Sequence, residues 1–166
     1  MAYFVRTASE RDVEAIRRVL RETWHATYDA IYGPQKVQAL TSVWHQASAI
    51  RRSIESKSGE FLVADDGRRL GGVAYAAMSE KMAKTAILHQ LYVLPSCQRQ
   101  GIGRDLFAEL ESCFPDAEIM RLEVAEQNAA AVSFYLTHGF TEVDRVKDAD
   151  LAELLIMEKP LNRRHG

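Results

Sequence analysis

Gly101 and Gly103 stand where an apolar, β-prone run gives way to a helical pattern, in the segment from Leu91 to Arg104. Glycines let a backbone approach a ligand closely and adopt positive φ. The first N–H groups of a helix lack intrahelical partners, and the helix dipole favours an anion there. A strand-to-helix turn of this composition is therefore a cradle for phosphate. Arg99 and Arg104 add positive charge beside it. Two other phosphate loops do not fit. A Walker A loop needs Gly-Lys-Ser/Thr, whereas Gly103 is followed by Arg104 and Asp105. A dinucleotide fingerprint needs a third glycine at the position held by Leu106. The glycines alone also suit a plain tight turn.

Other side chains could move protons or bind a ligand. Glu123 is acidic inside the apolar run Leu122 to Val124, and His89 lies on a strand leading to the loop. An imidazole with an ordinary pKa of about 6.5 is a competent base near neutrality. Strand alternation also allows Glu123 to be a plain exposed sheet residue, and His89 a satisfied one. Cys97 lies in the loop, but no His/Asp pair accompanies it as a covalent nucleophile would need. The two cysteines, Cys97 and Cys113, are too few for a disulfide framework. The five histidines form no pair at metal-ligand spacing, so no metal site is expected.

The elements that must position these groups follow from periodicity. Residues 3–7 are β-prone, and Ser9 with Asp12 reads as a helix cap. Val13, Ile16, Val19, Leu20 and Trp24 then recur at helical spacing, and the pattern runs to Gly33 and Pro34. A second helical pattern spans Val37 to Ile54. Strands follow over Phe61 to Ala64, Leu70 to Met78 and Ile87 to Val93, the first two joined by a turn at Asp65, Asp66 and Gly67. After the loop a helix opens near Gly103 and closes at Pro115. A strand over Ile119 to Val124, a helix from Asn128 to His138 with Gly139 as its C-cap, and a closing pair, Phe140 to Val146 and Leu151 to Met157, complete the chain. This order predicts one domain over residues 1–166, of mixed α/β (α+β) class. Its central sheet is largely antiparallel, of six to seven strands, flanked by four helices.

Composition sets the bounds. The chain has 166 residues, 47% of them hydrophobic and 27% charged, with a net charge of −2. That suits a globular domain and not a disordered chain. Without a basic surplus, nucleic acid is not an expected partner. No apolar run approaches the roughly 20 residues that span a bilayer, so no membrane association is expected. The N-terminus lacks the layout of a signal peptide, and with reduced thiols this suggests the cytoplasm.

Two motifs then converge. Gln98, Gly101 and Gly103 resemble the Q/R-x-x-G-x-G/A motif of the GNAT superfamily of acyl-CoA N-acyltransferases, after a strand that ends at Leu94 and Pro95. Asn128, Ala131, Phe134, Tyr135, Gly139 and Phe140 resemble the family's later N-x-x-A-x-x-F/L-Y-x-x-x-G-F helix. The likeness covers residues 3–159 as architecture and 87–140 in specific sequence.

The resemblance implies acetyl-CoA as donor and direct transfer to an amine in a ternary complex. It implies that the backbone of Arg99, Gln100, Gly101, Ile102, Gly103 and Arg104 binds the CoA diphosphate. The pantetheine arm would run along Leu91, Tyr92 and Val93, where a splayed strand exposes a backbone N–H near Val93 to polarise the thioester. Asn128 would hydrogen-bond the arm, with Ala131 and Phe134 packed nearby. Tyr135 is the implied acid for the leaving thiolate. An alkyl amine, with a pKa of about 10.4, must lose a proton before it attacks. The stretch around Glu123 looks like that of ribosomal-protein N-terminal acetyltransferases, where the matching Glu is the base. His89 is the rival, and a water chain serving both is a third arrangement.

In the family the first two helices usually choose the acceptor. Trp24, Tyr28 and Tyr32 recur on one helical face there. Trp24 reads as core, and Tyr28 and Tyr32 as pocket residues. The stretch also resembles small bacterial members of the family, some of which acetylate polyamines, so the expected acceptor is a small amine or a protein N-terminus. Two competing readings are a non-catalytic CoA sensor or interaction domain, which needs neither Tyr135 nor Glu123, and a nucleotide-binding module. The apolar stretch Leu151 to Met157, read as an edge seeking cover, suggests a homodimer. The basic stretch Asn162 to Gly166 reads as a frayed tail.

Overall fold

The structure is a computed structural model that describes residues 2–161. The stretch Asn162 to Gly166 lies outside the described residues. In chain order the elements are β1 (Phe4–Thr7), α1 (Val13–Tyr32), α2 (Pro34–Trp44), α3 (Ala47–Glu55), β2 (Gly59–Asp65), β3 (Leu70–Met78), β4 (Thr85–Val93), α4 (Ile102–Ser112), β5 (Ile119–Ala125), α5 (Ala129–Thr137), β6 (Thr141–Asp148) and β7 (Ala152–Pro160). The seven strands form one sheet in the order β1-β2-β3-β4-β5-β7-β6. The mixed α/β class and the strand count agree with the sequence.

Among the described residues the helices number five rather than four. The pattern Val37 to Ile54 is broken at His45 and Gln46, where the backbone leaves helical geometry. The turn carries the His45 ring into the core, its centroid 6.0 Å from that of Trp24, and Arg17 Nε donates to the His45 carbonyl at 3.2 Å. Apolar spacing continues across the break, so periodicity alone does not reveal it.

The chain divides into two units. The first comprises residues up to Ala77 with Gln90–Cys113, and the second Met78–His89 with the chain from Phe114 onward. In the first, β1 pairs with β2 and β2 with β3, both antiparallel. α1 lies against α2 and α3, α3 lies against β2, and α4 against β1 and β2. The core contains Ile16, Val19, Leu20, Val37, Ile50, Val63, Leu106 and Leu110, each nearly sealed from solvent. Burial on this scale is worth about 1.5–3 kcal/mol per large side chain, before the entropy of ordering it. The cap at Ser9 forms as expected: Ser9 N donates to Asp12 Oδ2 at 2.8 Å. Arg6 clamps the same carboxylate with two 2.9 Å bonds.

In the second unit β4 pairs with β5 in parallel over Thr85–Ile87 and Ile119–Arg121. β5 pairs with β7, and β7 with β6, antiparallel. The expectation that Leu151 to Met157 forms an open edge is corrected by this order. β7 lies between β5 and β6, and Leu154, Leu155, Ile156 and Met157 are all buried. A strand covered on both faces needs a continuous apolar run, not an alternating one. The terminal strand on this side is β6, exposed along its whole length.

Candidate active site

The first unit carries the strand–loop–helix turn. β4 ends at Val93, and Leu94 N donates to Gly71 O at 2.9 Å, tying the loop's start to β3. A single 3-10 turn, Pro95–Cys97, follows. Gln98 Nε2 then reaches back to Val93 O at 3.2 Å. Arg99 takes φ 66° and Gly101 φ 79°, both left-handed. Such a conformation costs a non-glycine residue about 1–3 kcal/mol unless its surroundings enforce it. Gly101 is the N-cap of α4, which therefore begins at Ile102, one residue before the expected position.

The backbone conformation favours glycine at 101. Its φ is left-handed, and a Cβ there would lie 2.7 Å from Arg104 Nη2. The Arg104 guanidinium thus lies over the entrance to α4, which no capping side chain closes. Arg99, Gln100 and Arg104 are exposed, while Gly103 is half-buried and Ile102 is buried. Leu91, Tyr92 and Val93 are half-buried. A helix N-terminus of eleven residues without a side-chain cap, with two arginines at its mouth, fits a diphosphate by charge and by donor supply.

The second unit carries the other expected groups. Asn128 caps α5, its Oδ1 accepting from Ala131 N at 3.2 Å. Ala131 and Phe134 are half-buried. Tyr135 is buried, its ring 5.6 Å from Phe134 and 5.5 Å from Phe140, each edge-on. Asn128, Ala131, Phe134 and Tyr135 thus share one short helix with its cap. Glu123 is exposed on β5 opposite Ile156, and Leu122 and Val124 beside it are buried. His89 is exposed on β4, yet the atoms around it hold its pKa below the ordinary imidazole value by stripping solvent from the charged form.

On the first unit's α1, Trp24, Tyr28 and Tyr32 form a continuous ring ladder. Trp24 and Tyr28 are 4.2 Å apart, and Tyr28 and Tyr32 stack at 5.6 Å. Trp24 and Tyr28 are buried and Tyr32 is half-buried, so of the two expected pocket residues Tyr28 is the more enclosed. Lys36 Nζ sits 5.3 Å from the Tyr32 ring centroid.

Three buried polar atoms stand out, and of their residues the sequence reading singled out only Trp24. Gln90 Oε1, Trp24 Nε1 and His45 Nδ1 are buried without hydrogen-bond partners. A glutamine inside the apolar run Ile87 to Val93 is a signal that could have marked Gln90. Burial lowers the His45 pKa to about 4. Among the described residues no three His, Cys, Asp or Glu side chains gather as a metal site needs. No helix among them is long and apolar enough to cross a membrane.

The strand order, with a strand–loop–helix turn after β4 and an Asn-capped helix α5 after β5, is that of the acyl-CoA N-acyltransferases. Comparison with known proteins gives the family. Residues 28–161 match the family described as Acetyltransferase (GNAT) domain. Over 96% of this chain and 98% of the other, the sequence is 30% identical to spermidine N(1)-acetyltransferase of Thermoplasma acidophilum. The structure is similar to that of the PaiA N-acetyltransferase from the same organism in complex with coenzyme A, with a TM-score of 0.86 and 28% identity over 96% of this chain and 99% of that one. It is also similar to ribosomal-protein-alanine N-acetyltransferase from Brucella melitensis, with a TM-score of 0.71 and 25% identity over 95% and 99%. The chain belongs to the GNAT acetyltransferase family and is an N-acetyltransferase that uses acetyl-CoA.

Proposed function

We propose that the acceptor is a primary amino group of a small, polyamine-type molecule, attacked directly in a ternary complex with acetyl-CoA. The observation that carries this reading is the α1 ladder, where the Tyr32 ring already takes an alkylammonium, that of Lys36. An aromatic face attracts such a cation by about 0.5–2 kcal/mol, depending on desolvation. The name of the Thermoplasma relative points the same way.

Acetyl-CoA supplies an activated acyl carbon. The residue roles are then as follows. The backbone of Arg99 to Arg104 holds the diphosphate, with Gln98 setting the loop. The backbone of Leu91, Tyr92 and Val93 carries the pantetheine arm, which Asn128 hydrogen-bonds beside Ala131 and Phe134. Tyr28 and Tyr32 receive the acceptor. Glu123 takes the proton from the ammonium, with His89 as the second base. The freed amine forms the C–N bond as the C–S bond breaks, the Tyr135 hydroxyl delivers a proton to sulfur, and the second nitrogen proton, released as the amide forms, restores the phenol. Cys97 and Cys113 are both outside disulfides, which supports the cytoplasm as the compartment. A homodimer is part of this reading, and β6 is the strand a second copy would cover, because a sheet edge invites pairing.

The test is CoA release from acetyl-CoA with spermidine, spermine, putrescine, lysine and an alanine-starting peptide, each offered to the purified protein. The highest kcat/KM is expected on a polyamine. Activity confined to the peptide would replace the acceptor class. Tight acetyl-CoA binding with no release on any amine would favour the non-catalytic sensor.

A further inference from the structure

The phosphate loop is held from behind by residues outside the family's motif. Cys97 closes the 3-10 turn one residue before Gln98 and is only 1% exposed. The Tyr3 hydroxyl lies 3.2 Å from its Sγ, and Arg69 Nη2 donates to the same sulfur at 3.9 Å. One atom of the loop thus meets the strand-entry residue of β1 and the β2–β3 turn.

The glycines of β3 make this contact geometrically available. A Cβ on Gly71 would lie 2.6 Å from Tyr3 Cε1, so one edge of the Tyr3 ring lies against a bare backbone. The Gly71 carbonyl also accepts from Leu94 N, at the loop's first residue. A Cβ on Gly72 would lie 3.0 Å from Leu106 Cδ1 and 3.1 Å from Ile102 Cγ2, so the first turn of α4 also seats on a glycine. Beyond the hydroxyl contact the packing is open: a cavity of about 270 Å³ is lined by Tyr3, Val5, Ala64, Gln100 and Ile102. The contact with Cys97 therefore ties Tyr3 to a loop that is loosely filled beside it. The hydrogen bond to Cys97 raises the Tyr3 pKa.

We infer that Tyr3, Cys97 and Gly71 form an anchor that fixes the loop Gln98–Gly103 in its anion-binding shape, and so act as positioning residues for donor binding. The inference rests on the reading of that loop as the diphosphate site.

The experiment compares two donors, acetyl-CoA and S-acetylpantetheine, which lacks the diphosphate. The wild type is expected to use acetyl-CoA at much lower KM. Tyr3→Phe and Cys97→Ala should each raise KM for acetyl-CoA about fivefold, the size of one lost hydrogen bond. The values of kcat, of KM for the amine and of kcat/KM with S-acetylpantetheine should stay within about twofold of wild type. Cys97→Ser, which keeps a hydrogen-bonding group, should recover most of the loss. An unchanged acetyl-CoA KM in Tyr3→Phe and Cys97→Ala, with a wild type that still discriminates between donors, overturns the anchor and leaves the loop reading standing. Equal losses with both donors also overturn it, because they mark a general structural role. A wild type that does not discriminate removes the loop reading and the anchor together.

Discussion

Gln98 Nε2 donates to Val93 O at 3.2 Å, tying the loop before α4 back to the end of β4, five positions earlier in the chain. The Gln98 amide thus spans the 3-10 turn Pro95–Cys97 to reach a strand carbonyl. Gln98→Ala is expected to raise the Kd for acetyl-CoA about three- to tenfold, from one lost side-chain bond. Calorimetric titration of the variant checks this. Binding as tight as wild type would show that the loop holds its shape without Gln98.

Proton traffic gives a second prediction. Tyr135→Phe should lower kcat by about a hundredfold with little change in acetyl-CoA affinity, since general acid catalysis is worth about 10²–10⁴. Glu123→Gln should cost about as much at pH 7, and His89→Gln about tenfold. The pKa of His89 lies below 6.5 because its charged form loses solvent, so its protonation shapes only the acid limb of the profile. The pH dependence of kcat/KM for all three variants decides between the bases. A larger loss in His89→Gln than in Glu123→Gln would transfer the role.

Stability should fall in mild acid through His45. Burial lowers its folded pKa to about 4, whereas the unfolded chain has the ordinary 6.5. Between these values the unfolded state binds more protons, so stability is complete above about 6.5 and is lost as pH falls towards 4. A difference of this size corresponds to on the order of 3 kcal/mol. His45→Phe fills a similar volume without the charge. Its Tm should drop less than wild type's between pH 7 and pH 4.5, measured by thermal denaturation. Equal drops would place the acid sensitivity elsewhere.

Much of the local geometry of the loop and of α5 was legible because its groups lie close together along the chain. Gln98, Gly101 and Gly103 must appear at fixed offsets, since one turn of backbone has to reverse before α4 starts. Gly101 adopts the left-handed φ that its glycine foreshadowed. Asn128 caps α5 as its position before an apolar helix suggested. The break at His45 was not legible, because the same apolar spacing serves two short helices as well as one long one. Gln90 passed unnoticed although its polarity in an apolar strand was visible.

The sequence by itself determined the family and, apart from the break at His45, the elements, since periodicity, caps and motif spacing are properties of neighbours along the chain. It did not determine which strand lies at the edge. Leu154 to Met157 read as an apolar strand in need of cover, and only the pairing of β7 with both β5 and β6 showed where that cover comes from. Nor could it place Tyr3 beside Cys97, 94 residues away. That contact depends on a bare glycine at position 71, and such long-range fits are settled by packing in three dimensions, where the absence of one methyl group decides which side chains meet.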